Sequence, residues 1–327
     1  MSRPPGARSG EPAAAVAAAP VPAPPLRSWL FVPGDSERKQ EKALATDADA
    51  LILDLEDSVA AAQLTVARER VAHVLHARRG GTGPQLWVRV NAPASGQLRA
   101  DLAEVCAAGS LPDGVVLPKV SAADEIVDVA QYLATLEKGF GRAAGSTRLL
   151  VIATETPRGL LGLPQYAAAL DGRPEVGARL AGLTWGAEDL SAALGAAARR
   201  DAAGALTFIF QLARATCLLA SAALGVQAID GVHTDFRDAP GLERELADAR
   251  RDGFSGKLAI HPDQVAAINA AFAPTDAERE HARRVVAAFA ASPGAGVASL
   301  DGQMIDRPHL LHAQRILAVK QHLRSGA

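Results

Sequence analysis

The strongest constraint on the fold is an alternation of strand and helix signals through most of the chain. Short runs rich in valine, isoleucine and leucine recur eight times, each followed by a turn and a segment with apolar residues three and four positions apart. The runs are residues 29–32, 50–55, 86–90, 114–117, 149–153, 182–185, 229–232 and 257–260. The helix-period segments include residues 37–45, 66–77, 122–136 and 208–224. This alternation predicts an α/β fold, a (β/α)8 TIM barrel. An open doubly wound sheet is the alternative, but no G-x-G-x-x-G follows the first run.

Composition divides the 327-residue chain into three parts. Residues 1–26 are rich in alanine, proline and glycine and lack hydrophobic periodicity, so we predict a disordered tail there. Prolines at positions 20, 22, 24 and 25 interrupt its Ala-rich piece, which argues against an export signal. We predict that residues 27–272 form the catalytic barrel and that residues 273–327 add a C-terminal helical extension.

The charge balance and the cysteines exclude several functional classes. The formal net charge is −2 at pH 7 and no basic stripe is present, so nucleic acid is not an expected partner. No apolar run reaches the roughly 18 residues that a membrane helix needs, so we expect a cytoplasmic protein that does not enter a membrane. Cys106 and Cys217 lack metal-type spacing, and we expect buried thiols in a reducing compartment.

Polar and charged residues stand where the predicted strands end. They are Asp35, Asp54, Glu56, Asp57, Arg89, Lys119, Glu155, Glu188, Asp189, Asp235 and His261. The active sites of (β/α)8 barrels are built at the carboxyl ends of the strands, so this distribution predicts a catalytic site there. Helix capping is a sufficient explanation for Asp35 and Asp235. It explains an arginine and a lysine after strands three and four less well.

Several segments resemble one known family. They are RSWLFVPGD, ADALILDLEDSV, WVRVN, VVLPKV, ATETPRGL, WGAEDL, residues 235–269 and GQMIDRPHLLHAQRIL. Together they resemble the citrate lyase β-subunit family of the HpcH/HpaI aldolase group, in order, over about residues 27–320. The resemblance implies an Mg²⁺-dependent carbon-carbon lyase whose substrates are acyl-CoA or acyl-carrier thioesters of hydroxy acids such as citrate, citramalate and malate. It also implies a homo-oligomer, a trimer or a hexamer.

The resemblance places a metal and a substrate acid on particular residues. The metal ligands of the family fall on Glu155 and Asp189, which follow adjacent strands, and Mg²⁺ prefers such carboxylate ligands. Either acid alone could equally be a helix cap. Arg89 matches the substrate-binding arginine, and it could also be a structural partner of the acids on strand two; the two roles are compatible. The turn Gly186-Ala187-Glu188 opens a helix and offers N–H groups to a substrate carboxylate.

Two candidates stand for the catalytic acid/base. In related lyases an aspartate matching Asp306 is thought to enter the site of a neighbouring subunit, although Asp306 could simply cap a helix that has Pro308 in its first turn. The other candidate is the strand-two cluster, Glu56 and Asp57. Sister aldolases that act on free 2-oxo acids typically carry histidine where Asp57 stands, which favours thioesters here. Strand alternation predicts that Asp54 and Glu56 face the barrel mouth. We expect Glu56 and Asp57 to order Arg89 and water around the metal rather than bind the metal.

The thioester needs a place for its phosphates. Arg38 and Lys39 follow strand one and could bind the CoA diphosphate, or they could belong to a solvated helix face. The predicted partners are therefore an acyl-CoA thioester and a 2-oxo acid. A malyl-CoA-type thioesterase at the same site and a non-catalytic binding homologue are the alternative functions.

Overall fold

A computed structural model describes residues 25–78, 80–292 and 296–319, and it confirms the predicted barrel. Eight parallel strands form a closed sheet in sequence order, and β1 pairs with β8 through Trp29 opposite Leu258. The strands are β1 (Ser28–Pro33), β2 (Ala50–Asp54), β3 (Gln85–Arg89), β4 (Gly114–Leu117), β5 (Arg148–Ile152), β6 (Leu180–Thr184), β7 (Gln227–Asp230) and β8 (Gly256–Ala259). The predicted disordered tail lies outside the described residues, apart from residues 25 and 26.

Helices follow the strands and cover the outside of the barrel. They are α1 (Glu37–Leu44), α2 (Leu64–Ala77), α3 (Leu98–Val105), α4 (Ala123–Gly139), α5 (Pro157–Gly162), α6 (Tyr166–Leu170), α7 (Pro174–Arg179), α8 (Ala187–Leu194), α9 (Phe208–Leu224), α10 (Ala239–Asp252) and α11 (Gln264–Phe272). The predicted segments 37–45, 66–77, 122–136 and 208–224 coincide with α1, α2, α4 and α9 to within a few residues. The connection after β5 is broken into three short helices, because Pro164 and Pro174 interrupt the pattern.

Strand seven differs most from its prediction. The sequence predicted residues 229–232, whereas β7 is Gln227–Asp230. Pairing of Gln227 with Gly182 and of Asp230 with Lys257 sets its limits. The chain then leaves the sheet at Gly231, where a Cβ atom would lie 3.1 Å from the Trp185 carbonyl oxygen. The pairing register with the neighbouring strands therefore sets the first and last residues of β7. The apolar pattern of the sequence does not encode that register.

The barrel interior is filled by a separate apolar cluster. It consists of Trp29, Ala50, Ile52, Trp87, Val116, Leu150, Ile152, Ile229 and Leu258. Trp29 and Trp87 meet edge to face, with ring centroids 4.8 Å apart. Gly114 lies beside Trp87, where a Cβ atom would come within 2.2 Å of the ring. A larger apolar cluster, containing Leu51, Leu53 and Leu55, lies between strands and helices.

A buried ionic cluster lies on the outer side of β7 and β8. Ile229 and Leu258 point into the barrel, so Asp230 and Lys257 face the opposite way. The Lys257 ammonium donates to Asp230 at 3.0 Å, and it lies 3.1 Å from Glu245 on α10. Burial opposes the charge of Asp230, but Lys257 and Arg214 outweigh it and lower the pKa of Asp230. The last two strands are therefore joined to their helices by charge as well as by apolar packing.

The described residues from Pro274 onward form a second compact unit. It contains α12 (Asp276–Ala290), the antiparallel strands β9 (Val297–Leu300) and β10 (Gln303–Asp306), and α13 (Arg307–Ala318). Ala282, Val285, Ile305 and Ala313 form its own small core. In both units, no described helix is long and apolar enough to span a membrane. Cys106 and Cys217 are free thiols and buried, as expected.

Candidate active site

The site begins with the alternation along β2. Leu51 and Leu53 pack outward against the helices, whereas Ile52 belongs to the interior cluster. Asp54 continues the inward row and is 1% exposed, and Glu56 follows just beyond the strand at 8% exposure. The predicted projection of the two acids into the barrel mouth agrees with this burial. Two carboxylates in such a position require nearby cations.

Arg89, at the end of the neighbouring strand β3, supplies the first cation. Its Nε and Nη2 donate to the two oxygens of Asp54, each at 2.6 Å, and its Nη1 lies 3.0 Å from Glu56. The guanidinium lies over the ring of Phe31 at 4.7 Å. Burial opposes the charge of Asp54, but Arg89 outweighs it and lowers the pKa of Asp54. Arg89 is thus a structural partner of the strand-two acids, which is one of the two roles predicted for it from the sequence.

Lys119 supplies the second cation, and no role was predicted for it. Its Nζ donates to both Asp57 oxygens at 2.8 and 3.0 Å and forms an ion pair with Glu56. Burial opposes its charge, but hydrogen bonds to Asp57 and Glu56 raise the pKa of Lys119. Burial also raises the pKa of Glu56. The neighbouring charges of Arg89 and Lys119 partly offset this increase. The only sequence signal was a Pro-Lys pair at the end of strand four.

Glu155 and Asp189 are two further acids that contact Lys119. Glu155 follows β5 and is 4% exposed, and its Oε2 accepts the main-chain N–H of Lys119 at 2.6 Å. Asp189 lies in the first turn of α8, and its Oδ1 is 3.5 Å from the Lys119 Nζ. Burial raises the pKa of Glu155 to about 8, and the neighbouring Asp189 adds to the effect. The two carboxylates predicted to bind the metal therefore share one neighbour and influence each other electrostatically.

The turn before α8 packs directly on Glu155. A Cβ atom at Gly186 would lie 2.7 Å from the Glu155 Cγ, so only glycine fits there. The Gly186 N–H donates to the Thr154 hydroxyl at 3.2 Å. The first-turn N–H groups of Ala187 and Glu188 are therefore better candidates for a substrate anion than that of Gly186. The Glu188 carboxylate forms an ion pair with Arg199.

Several of these groups line one cavity of about 1050 Å³. Asp54, Asp57, Arg89, Glu155, Gly186, Glu188 and Asp189 line its charged side. Phe31, Ile152, Val232, Leu258 and Ile260 line an apolar side. Arg38, Lys39 and Lys42 line it from α1, and His261 lines it while stacking on Phe236 at 4.6 Å. The cavity thus joins the predicted phosphate-binding residues to the predicted metal-binding acids.

Asp306 belongs to the other unit. It immediately precedes α13, and its Oδ1 lies 2.6 Å from the Nδ1 of His309. Hydrogen bonding with His309 lowers the pKa of Asp306. Both side chains are about half exposed.

The donor set at the barrel mouth suits a hard divalent cation. Among the described residues, no group of three or more His, Cys, Asp or Glu side chains is arranged to hold a metal ion. Two carboxylates are sufficient for Mg²⁺, which usually keeps several waters and takes substrate oxygens as further ligands. Glu155 supports this fit, because a carboxylate so deeply buried lacks full charge compensation from the protein.

A (β/α)8 barrel whose carboxyl end collects acids and an arginine around one cavity has the features of a barrel enzyme. Residues 27–262 match the HpcH/HpaI aldolase/citrate lyase family, and the chain belongs to that family. Its enzyme class is that of the carbon-carbon lyases.

Three relatives illustrate the similarity. Rat mitochondrial citramalyl-CoA lyase is 35% identical over 303 residues, covering 92% of this chain and 87% of the relative. A (3S)-malyl-CoA thioesterase of Cereibacter sphaeroides is 37% identical over 296 residues, covering 90% and 94%. The crystal structure of CitE from Mycobacterium tuberculosis in complex with magnesium, acetoacetate and coenzyme A has a TM-score of 0.67 at 35% identity. It covers 90% of this chain and 97% of that one.

Proposed function

We propose that the protein is an Mg²⁺-dependent lyase that cleaves a 3-hydroxyacyl-CoA thioester, such as citramalyl-CoA or malyl-CoA, to acetyl-CoA and a 2-oxo acid. The observation that carries this proposal is the arrangement of Glu155, Asp189 and Arg89 around one cavity. The names of the citramalyl-CoA lyase and of the magnesium, acetoacetate and coenzyme A complex support it.

Glu155 and Asp189 would hold Mg²⁺. When bound, the ion acts as a Lewis acid toward the oxygen whose charge changes during cleavage. The raised pKa of Glu155, about 8, fits this role, because a bound cation would stabilise the charged form of that carboxylate. Glu56 and Asp57 are both engaged by Lys119, which supports their assignment as acids that order the site rather than bind the metal.

Arg89 would bind the carboxylate or the developing oxyanion of the substrate. Asp54 engages two of the five N–H donors that an arginine carries and Glu56 lies near the Nη1 group, so donors remain for a substrate oxygen. The bidentate pair also fixes the guanidinium, so little freedom is lost on binding. The N–H groups of Ala187 and Glu188 would bind a second substrate oxygen.

The chemistry requires two proton transfers. In cleavage, a base takes the hydroxyl proton, the C–C bond breaks as the carbonyl group of the 2-oxo acid forms, and the electron pair of that bond passes to the thioester enolate. The enolate carbon then takes a proton and becomes the acetyl methyl group. We assign the first proton to the strand-two acids, Glu56 or Asp57. We assign the second to Asp306 of a neighbouring subunit in a homotrimer or hexamer, and its exposure makes it available to another chain.

Arg38 and Lys39 would bind the CoA phosphates at the cavity mouth. Both are exposed and both line the cavity, which favours phosphate binding over the alternative of a purely solvated face. A cytoplasmic location agrees with a CoA thioester substrate. The oligomer is testable by light scattering of the purified protein.

The test is an assay of purified protein with Mg²⁺ and either citramalyl-CoA or malyl-CoA. Pyruvate or glyoxylate appearing with acetyl-CoA supports the lyase. Free hydroxy acid appearing with CoA supports a malyl-CoA-type thioesterase, the second candidate, which is favoured by one relative of that name. No turnover of either substrate, with intact Mg²⁺ binding, would refute both and leave a non-catalytic binding protein. Arg89→Lys is the charge-matched variant, because it keeps the positive charge but loses the paired N–H donors of the guanidinium group. We expect its activity to fall about a hundredfold or more.

A further inference from the structure

Lys119 has an unusual main-chain conformation. Its φ is +54°, and in the described part of the barrel unit no other non-glycine residue has a positive φ. The other such residue, Asp301, lies in the turn between β9 and β10. Side chains rarely adopt this left-handed conformation, and glycine adopts it without strain. A lysine at this position indicates that both its main chain and its side chain are needed.

The main chain of Lys119 is used to orient one acid. The left-handed turn after Pro118 aims the Lys119 N–H at the Oε2 of Glu155, at 2.6 Å. Gly186 packs on the side chain of Glu155 so closely that a Cβ atom there would lie 2.7 Å from the Glu155 Cγ. The Glu155 carboxylate is therefore held between two main-chain segments, and its direction is fixed before any ligand binds.

The side chain of Lys119 reaches the other acids. Its Nζ is hydrogen bonded to Asp57 at 2.8 and 3.0 Å, ion-paired with Glu56, and 3.5 Å from Asp189. The Lys119 ammonium thus stands between the strand-two acids and the predicted metal-binding pair. Apart from Lys119, Asp57 has only the longer contact to the Arg89 Nη1 at 3.8 Å among the ion pairs of the described residues, and its side chain is 52% exposed, so without the ammonium it would be able to turn toward a nearby cation.

We propose that Lys119 is a positioning residue that decides which acids bind the divalent cation. Its N–H aims Glu155 at the ion, and its ammonium retains Glu56 and Asp57 as a separate pair and limits the affinity of the site. This role rests on the proposed Mg²⁺ site. Removing the ammonium should make the site more negative and let Asp57 join the ligands, so Mg²⁺ should bind more tightly while turnover falls.

Isothermal titration of metal-freed protein with Mg²⁺ tests the proposal. We expect Lys119→Met and Lys119→Gly to bind Mg²⁺ about tenfold more tightly than wild type, and Lys119→Arg to stay within about threefold, because only Arg keeps the charge. At saturating Mg²⁺, kcat of Lys119→Met should fall about tenfold or more, since Glu56 and Asp57 lose their placement. Lys119→Gly should also raise Tm relative to Lys119→Met, because glycine relieves the positive φ.

A purely structural role would lower Tm in Lys119→Met without tightening Mg²⁺ binding, and that result would overturn the proposal. The Glu155→Gln variant tests the metal assignment separately from the role of Lys119. If Glu155→Gln weakens Mg²⁺ binding and Lys119→Met leaves it unchanged, only the role of Lys119 is refuted. If Glu155→Gln binds Mg²⁺ as wild type does, the metal assignment fails, and the role of Lys119 fails with it.

Discussion

Replacing Glu155 by glutamine should make the metal-free barrel more stable, and increasingly so as the pH rises. Glu155 is 4% exposed, and burial raises its pKa from 4.5 to about 8. Glutamine has nearly the same shape and can accept the Lys119 N–H, but it never becomes charged. The substitution therefore removes the free energy needed to ionise a carboxylate inside the protein.

The magnitude follows from proton linkage. Between about pH 4.5 and 8 the folded state keeps the Glu155 proton while the unfolded state releases it, so wild-type stability falls as the pH rises through this range. Each pH unit is worth about 1.4 kcal/mol, which gives an upper limit of about 5 kcal/mol above pH 8. Since 1 kcal/mol shifts Tm by roughly 2 °C in a domain of this size, Glu155→Gln should melt up to about 10 °C higher.

The measurement is thermal unfolding of both proteins in EDTA from about pH 5 to 9, repeated with Mg²⁺. The two melting temperatures should nearly coincide at the acid end and separate as the pH rises. Mg²⁺ at about a hundred times its Kd should add about 2.7 kcal/mol to wild type and little to the variant. Glu243→Gln, an exposed acid on α10, is the control and should follow wild type.

A pH-independent difference between wild type and Glu155→Gln would refute the linkage of Glu155 ionisation to stability. Equal stabilisation of both proteins by Mg²⁺ would refute Glu155 as a ligand of the ion.

Three further outcomes are expected. Gly114→Ala should lower the free energy of unfolding by roughly 1–3 kcal/mol in urea titrations, because its Cβ would lie 2.2 Å from the Trp87 ring. Gly139→Ala, which meets nothing within 4 Å, should not destabilise, and equal effects of both would contradict the packing explanation. Burial raises the pKa of Cys106 and Cys217 to about 12, so neither should react with a thiol reagent near pH 8 until urea unfolds the protein; reaction of the folded protein would show that a thiol is accessible.

Much of the fold was predictable because apolar residues recur at a different spacing in strands than in helices. The run around Ile52 showed both an alternating pattern and a polar end, which together predicted the strand, its inward face and its place at the barrel mouth. The pairing of Arg89 with Asp54 could be inferred as one of two roles, since the two residues end adjacent strands.

The contacts of Lys119 were not predictable in the same way. They depend on a positive φ and on neighbours 62 to 63 positions away, and neither leaves a periodic signal in the sequence. The buried pair of Asp230 and Lys257 was missed for a related reason. Charged residues inside strands look like solvent-facing positions until the helices that cover them are placed.

The alternation along β2 bears on how this protein can change over time. Residues 51, 53 and 55 meet the helices, whereas Asp54 and Glu56 meet the cations of the site. Substituting Asp54 or Glu56 leaves the contacts of residues 51, 53 and 55 with the helices in place. The barrel can therefore keep its fold while its substrate specificity changes. In a saturation mutagenesis library over residues 53–56, loss of folding (Leu53, Leu55) and loss of turnover (Asp54, Glu56) should alternate from one residue to the next. Such a separation of scaffold and reactivity within one short strand makes this segment a natural starting point for directed evolution.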